Sequence, residues 1–370
     1  MRSIGDGRGW VLESGDAACA FFVDSEGRLQ QTYWGQRLPD LADYPVPEPA
    51  RHYEFGPPEQ RMPFAIVTGE RGVFSERTID VVASSGLRDM ALRFVRAKQS
   101  GPRLDFVLED VAHDLEITIH VEELSTPGLF ARGVNIRNRG AETLTIERAF
   151  SASFHLPERG PYALSHIDGR WGNEFRLQRD PLPFGTLVRE SRRITTSHGG
   201  VPYFAIDSDR LGYVAGEEQG AVWFGTLQWS GNWKLIAERT ADERCMIHLG
   251  LNDHDFGWTL KPDEVFEAPN VIFGYVTGGH GAASRALHDL VRDKLAPRRG
   301  YIPPVVYNSW YATMFDVDEA GQIALADRAA RMGVELFVMD DGWFSGRQND
   351  KAGLGDWWPD RKNFLMASSH

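Results

Sequence analysis

The sequence predicts a multidomain β plus α/β chain: an antiparallel β-sandwich, a helical linker, then the first units of a parallel strand–helix fold. Three observations predict this. Short segments that alternate apolar with polar residues, separated by turn residues, run from Trp10 to about Gly279. A helical period replaces them over Ala283, Leu287, Leu290, Val291 and Leu295, and Pro297 stops it. A strand, a helix and a second strand then follow between Val305 and Met339, and such a βαβ unit has parallel strands. The expected domains are residues 1–280, 281–300 and 301–370 of a chain of 370, too long for one small core.

Within the sandwich, Ala18–Val23 and Arg28–Trp34 flank Asp24-Ser25-Glu26-Gly27, a hairpin signal with glycine available for positive φ. Leu115 to Glu122 alternates strictly, as a half-buried strand does. Val134–Arg137 and Thr143–Ile146 bracket a second expected hairpin at 138–142, and 221–228 and 233–238 bracket a third at Ser230-Gly231-Asn232. Pro39 to Pro63 carries Pro45, Pro47, Pro49, Pro57 and Pro58 with Tyr44, His52, Tyr53 and Phe55 between them. Proline removes ladder donors, so this segment reads as an extended loop, either a surface connector or a cap over a pocket or a neighbouring subunit. No fixed-period repeat suggests a propeller or solenoid. After the linker, Val305 to Asn308 is a short apolar strand. Asp316 or Asp318 can cap a helix to Met332 with Gly333 at its C-terminal turn, and Val334 to Met339 reads as a second, buried strand.

Composition narrows the function. The hydrophobic fraction is 42%, and Trp 11, Tyr 10 and Phe 21 give ample surface to bury, which excludes wholesale disorder. No stretch approaches the roughly 18 uncharged apolar residues of a membrane helix. The first nine residues lack the apolar segment of a secretory signal. The acidic balance, 52 acidic against 40 basic side chains and a net charge of −12, argues against nucleic acid or an anionic membrane as partner. Cys19 and Cys245 cannot form a disulfide framework, and a cytoplasmic location is expected.

Chemistry concentrates near the end of the chain. Asp340-Asp341-Gly342-Trp343-Phe344 follows directly from the second apolar strand, and functional side chains of parallel α/β folds sit at such carboxyl ends. The first strand ends in Asn308-Ser309-Trp310-Tyr311, facing the same rim. Tryptophan can stack on the C–H face of a pyranose while carboxylates accept its hydroxyls. Adjacent carboxylates on one strand are poorly placed to flank a glycosidic bond, so Asp340 and Asp341 read as hydroxyl binders rather than a catalytic pair. A capping or salt-bridged pair of aspartates at a strand end is the structural alternative. Gly355-Asp356-Trp357-Trp358-Pro359-Asp360 repeats the combination, with the tryptophans readable as core residues. Scattered histidines give no metal-ligand spacing. Ser197-His198 reads as a surface turn, and Gly5 to Gly9 is no dinucleotide fingerprint.

Residues 301–363 closely resemble the start of the catalytic barrel of glycoside hydrolase family 36, the bacterial type of α-galactosidase. The resemblance rests on Pro303 to Trp310, Glu335 to Phe344, and Leu354-Gly355-Asp356-Trp357. Arg170 to Phe175, Ser191-Arg192-Arg193 and Ser230-Gly231-Asn232 are looser matches, in a region similar to the family's N-terminal β-supersandwich. The resemblance implies that 301–370 is the beginning of a (β/α)8 barrel, which needs roughly 250 residues to close. It implies retaining hydrolysis of terminal α-linked galactose from melibiose- or raffinose-type sugars, without cofactor or metal, in a tetramer. Trp310 then corresponds to the stacking wall, and Asp340 and Asp341 to hydroxyl-binding carboxylates. Trp343 and Asp356 fall in the same substrate-binding site. The family's nucleophile lies in a Lys-Trp-Asp type motif that does not occur here. Both catalytic aspartates are therefore expected beyond His370, and this chain is expected to be inactive by itself. Relatives tend to carry an aspartate beyond the glycine matching Gly56, where this chain has Glu59-Gln60. A non-catalytic carbohydrate-binding or assembly module, and a related galactosyl transferase, are the alternative readings.

Overall fold

Segments that alternate apolar with polar side chains bury one face and pair into antiparallel sheets. The structure is a computed structural model, describing residues 2–4, 7–47, 59, 62–70, 72–157, 160–196, 199–208, 214–241 and 243–364. It divides into two compact units, Met1–Leu295 and Ala296–His370.

Three antiparallel sheets build the first unit among the described residues. Arg2–Ile4, Gly9–Ser14, Ala17–Val23 and Leu29–Gln36 form a four-stranded meander. The hairpin expected at Asp24–Gly27 is present. Gly27 takes φ +79°, and the Asp24 carboxylate accepts the N–H groups of Glu26 and Arg28 at 2.9 Å each. A ten-stranded sheet contains Asn173–Pro181, Tyr162–Arg170, Tyr203–Ser208, Val222–Leu227, Val271–Val276, Leu129–Asn138, Leu115–Glu123, Arg103–Asp110 and Leu92–Ser100 in spatial order. Its tenth strand, Val265–Glu267, also pairs with Leu129–Asn138. A six-stranded sheet runs Gly185–Glu190, Trp233–Arg239, Cys245–Leu251, Leu144–His155 and Trp258–Leu260, with Ile79–Val82 beside Leu144–His155.

Two expected hairpins are instead corners between sheets. Leu129–Asn138 has one edge filled by Leu115–Glu123 and the other by Val265–Glu267 and Val271–Val276. With no free edge left, the chain turns at 138–142 and Leu144–His155 enters the other sheet. Val222–Leu227 is likewise held between Tyr203–Ser208 and Val271–Val276, so Trp233–Arg239 also changes sheet. A sandwich needs such crossings, because its two inner faces close one core.

That core is aromatic. Phe154 lies 4.8 Å from both Trp34 and Phe273, and each of these is essentially inaccessible. Arg132 is fully buried among them. It donates to the Gln31 side chain at 3.0 Å, to the Ser153 carbonyl at 3.1 Å and to the Ala65 carbonyl, with its guanidinium over the Phe21 and Phe154 rings. The helix expected after the sandwich is Gly279–Leu290, which belongs to the first unit and buries Ala283 and Leu290 against Val222, Phe224 and Ile272. Its apolar stripe then loses cover, and Val291–Leu295 forms a wider π turn with Val291 and Leu295 exposed. In the proline-rich segment, Leu41–Asp43 is one 3-10 turn and Tyr44 packs on Tyr33 at 5.3 Å. Residues 48–58, 60 and 61, with His52, Tyr53, Phe55 and Gly56, lie outside the described residues, as do Ser197 and His198.

In the second unit, Val306–Asn308 and Leu336–Val338 pair in parallel, Val306 opposite Leu336 and Asn308 opposite Val338. This is the start of a parallel sheet, as in an incomplete (β/α)8 barrel. Between the strands lie a one-turn helix, Trp310–Thr313, that the pattern did not foretell, and the expected helix Glu319–Arg331. Asp318 is its cap, accepting the Gly321 N–H at 2.8 Å, and Gly333 at φ +87° ends it. The second strand is not buried as expected. Leu336 is exposed, and Phe337 and Val338 are half-buried, because a parallel strand is covered only when strands flank it and helices lie on its faces.

Candidate functional site

The two parallel strands deliver their ends to one place. Beyond Asn308 the ladder continues for one more bond, from the Ser309 N–H to the Val338 carbonyl at 3.0 Å. The Ser309 hydroxyl, completely buried, accepts the Asp340 N–H at 3.1 Å and fixes the backbone where the second strand leaves the sheet. Asn308 works in both directions. Its Nδ2 donates to Asp340 Oδ2 at 2.5 Å, and its Oδ1 accepts the Trp310 N–H at 2.8 Å. One amide side chain thus ties the carboxylate at one strand end to the tryptophan at the other.

Asp341 is held differently. Arg347 Nε and Nη2 donate to its two oxygens at 2.8 Å each, a bidentate fork. The third guanidinium nitrogen, Nη1, donates to the Ala352 carbonyl at 2.8 Å. Arg347 itself is buried, its guanidinium 5.4 Å from the Phe315 ring centre and 5.8 Å from that of Phe344. The hydrogen bond from Arg347 holds the Asp341 carboxyl below the usual aspartate range, against the opposing effect of partial burial. For Asp341 the salt-bridged alternative raised by the sequence is therefore the observed arrangement, although the carboxylate keeps some exposure, 22%.

Phe315 joins the two halves. The Trp310 ring meets it edge-on at 5.0 Å and 89°, and its backbone lies beneath Gly342. Gly342 has φ +96°, and a Cβ there would stand 2.8 Å from the Phe315 carbonyl oxygen and 2.9 Å from its Cα. Only glycine lets the chain pass this point without displacement.

Trp343 is half-buried and turns edge-on to Phe344 at 5.3 Å. Its carbonyl accepts the Asp360 N–H at 2.9 Å, and Ser345 N–H reaches the Trp358 carbonyl at 2.9 Å, so residues 343–345 pair with 358–360. Asp356 sits in the exposed loop this pairing holds, its N–H bonded to the Gly353 carbonyl at 3.1 Å. The next ring, Trp357, covers Phe344 at 4.9 Å but is itself 61% exposed, as is Trp358 at 57%, so neither is the core residue that one reading allowed. The structure thus links Trp310, Asp340 and Asp341 through direct partners, and sets Trp343 and Asp356 on the adjoining loop.

Sequence reasoning missed Arg347 and the role of Ser309. A basic residue six positions beyond a strand-end aspartate, across a glycine turn, was the available signal. In the first unit, Ser153 Oγ lies 2.7 Å from His248 Nδ1, but both residues are fully buried, out of reach of a substrate. Among the described residues no group of three or more His, Cys, Asp or Glu is placed to hold a metal ion. No helix among them is long and apolar enough to cross a membrane.

The first unit is thus a β-sandwich and the second the start of a parallel sheet, with carboxylates, an amide and tryptophan at its strand ends. Comparison with known proteins makes this specific. Residues 27–261 match the glycosyl hydrolase family 36 N-terminal domain, and residues 265–367 match the melibiase family. The chain belongs to glycoside hydrolase family 36. It is 30% identical over 380 residues to alpha-galactosidase AgaA of Geobacillus stearothermophilus, across 95% of this chain and 51% of that protein. It is also 30% identical over 286 residues to alpha-galactosidase Mel36A of Lactobacillus acidophilus, across 77% of this chain and 38% of that one. The crystal structure of AgaA superposes with a TM-score of 0.89 at 28% identity, covering 97% of this chain and 53% of AgaA. An AgaA variant in complex with raffinose superposes with a TM-score of 0.88. The chain spans about half the length of the curated relatives it matches.

Proposed function

We propose that this chain carries the sandwich and one wall of the galactose pocket of an α-galactosidase acting with retention on melibiose- and raffinose-type sugars. Trp310 stacks on the C–H face of the galactose ring. Asp340 and Asp341 accept its hydroxyls, and Trp343 and Asp356 extend the wall. The observation that carries the reading is the Asn308 bridge, which sets the Asp340 carboxylate and Trp310 on one rim at the ends of two parallel strands. Family membership and the raffinose bound by the AgaA variant support the sugar class.

In this reading residues 1–280 are the supersandwich, 281–300 the linker and 301–370 the barrel segment, in a cytoplasmic protein that acts as a tetramer. The retaining mechanism needs a nucleophile and an acid/base carboxylate about 5–5.5 Å apart. The Arg347 fork occupies Asp341, and no Lys-Trp-Asp motif occurs in the 370 residues, so turnover requires carboxylates that these residues do not supply. Calorimetry with galactose and an assay with an aryl α-galactoside test both halves. The purified chain should bind galactose, lose that binding on Asp340→Asn, and release no aryl alcohol. Turnover by the chain alone would overturn the assignment of roles, and absence of galactose binding would overturn the site.

A further inference from the structure

We infer that Arg347 is a positioning residue which makes the two aspartates unequal, leaving Asp340 open to two ligand hydroxyls and Asp341 to one. The inference rests on the galactose-site reading and deepens it. An ionised carboxylate offers about four acceptor positions, two on each oxygen. On Asp341, Oδ1 already accepts Arg347 Nε at 2.8 Å and the Gly342 N–H at 3.2 Å, and Oδ2 accepts Arg347 Nη2 at 2.8 Å. One position remains, on Oδ2. On Asp340, Oδ1 accepts the Asp341 N–H at 2.6 Å and Oδ2 accepts Asn308 Nδ2 at 2.5 Å, so each oxygen keeps one position. The site therefore suits a ligand that offers a pair of neighbouring hydroxyls to Asp340 and a third to Asp341, as a polyhydroxylated ring does.

Arg347 is built for this task and not for contact with ligand. It is buried, its three nitrogens are all engaged within the unit, and two aromatic rings flank its plane. A lysine would keep the charge but lose the planar fork. Phe315 lies against both the Arg347 guanidinium and the Trp310 ring, so a change at Arg347 is also felt at the stacking wall.

The test uses the 370-residue chain as wild type, Arg347→Lys and Arg347→Met. Carbon NMR follows the Asp341 carboxyl through a pH titration without sugar, and calorimetry follows galactose binding over the same range. The expected result separates charge from geometry. In the methionine variant Asp341 titrates at higher pH than in wild type, and the acid limit of galactose binding moves up with it. In the lysine variant Asp341 stays low. In both, affinity at neutral pH falls on the order of tenfold, the scale of one charge-assisted contact. An unchanged Asp341 titration in Arg347→Met, or full affinity in Arg347→Lys, would overturn the inference. A wild type that binds no galactose while Asp341 still responds to Arg347 would instead overturn the galactose-site reading, and the hydroxyl assignment with it.

Discussion

Gly342 stands at the point where the strand end, Phe315 and the two aspartates meet, so Gly342→Ala probes whether that junction is as tight as described. Two costs combine. A side chain at φ +96° sits in left-handed backbone, at roughly 1–2 kcal/mol. The new Cβ would lie 2.8 Å from the Phe315 carbonyl oxygen, 2.9 Å from its Cα and 3.0 Å from Val317 Cγ2. Two of these atoms are backbone and cannot rotate away, and such overpacking costs about 1–3 kcal/mol. Together the substitution should destabilise the junction by about 2–5 kcal/mol. Hydrogen exchange reads this locally, where melting of the whole chain would be dominated by the larger unit. The amides of Ser309, Asp340 and Asp341, bonded at the junction, should exchange roughly 30-fold to several-thousand-fold faster, at one decade per 1.4 kcal/mol. Amides of the Leu115–Glu123 strand should not change. Exchange at Ser309 and Asp340 within threefold of wild type would refute the close approach of Gly342 to Phe315.

Three further outcomes follow from the structure. Asp318→Ala removes the cap of Glu319–Arg331 and should cost about 1 kcal/mol, seen as faster exchange of the first helical turn and little change at its end. Burial acts to raise the Asp253 carboxyl, but hydrogen bonds from Lys234 and Arg148 outweigh it and hold it below the usual value. Its stabilising contribution is therefore complete above the unfolded aspartate pKa and lost as pH falls through the folded one; urea midpoints measured across the acid range should converge for wild type and Asp253→Asn. Burial pushes the Cys19 thiol far up and the Cys245 thiol up to about 11, so neither should react with iodoacetamide at neutral pH until denaturant is added, as mass spectrometry can follow.

What the sequence displays depends on whether the cause is local. The Asp318 cap, the Gly333 stop and the alternation of Leu115–Glu123 are written within a few residues, and each is where the pattern puts it, except that His120 on the polar face of that strand is buried as well. The turns at 138–142 and 230–232 carry the same residue types as hairpins, yet their strands part because the preceding strand already fills one edge and strands at 265–276, far along the chain, fill the other. Occupancy of an edge is a property of the whole sheet, and no window of residues contains it. The site divides along the same line. Asp340, Asp341 and Trp310 stand out because carboxylates and tryptophan at apolar strand ends are chemically conspicuous. The roles of Arg347 and Ser309 depend on which side chain reaches which, and that is settled by the turn at Gly342 and by the parallel register of Asn308 with Val338.

The most direct test of the central claim, that Trp310 and the strand-end aspartates form a galactose site, is saturation-transfer NMR of galactose with the purified chain and with Trp310→Ala. The account predicts strongest saturation at the ring protons of the apolar C–H face, H3, H4 and H5, and its loss in the variant. Saturation that is absent in wild type, or that survives unchanged without the Trp310 ring, would contradict it.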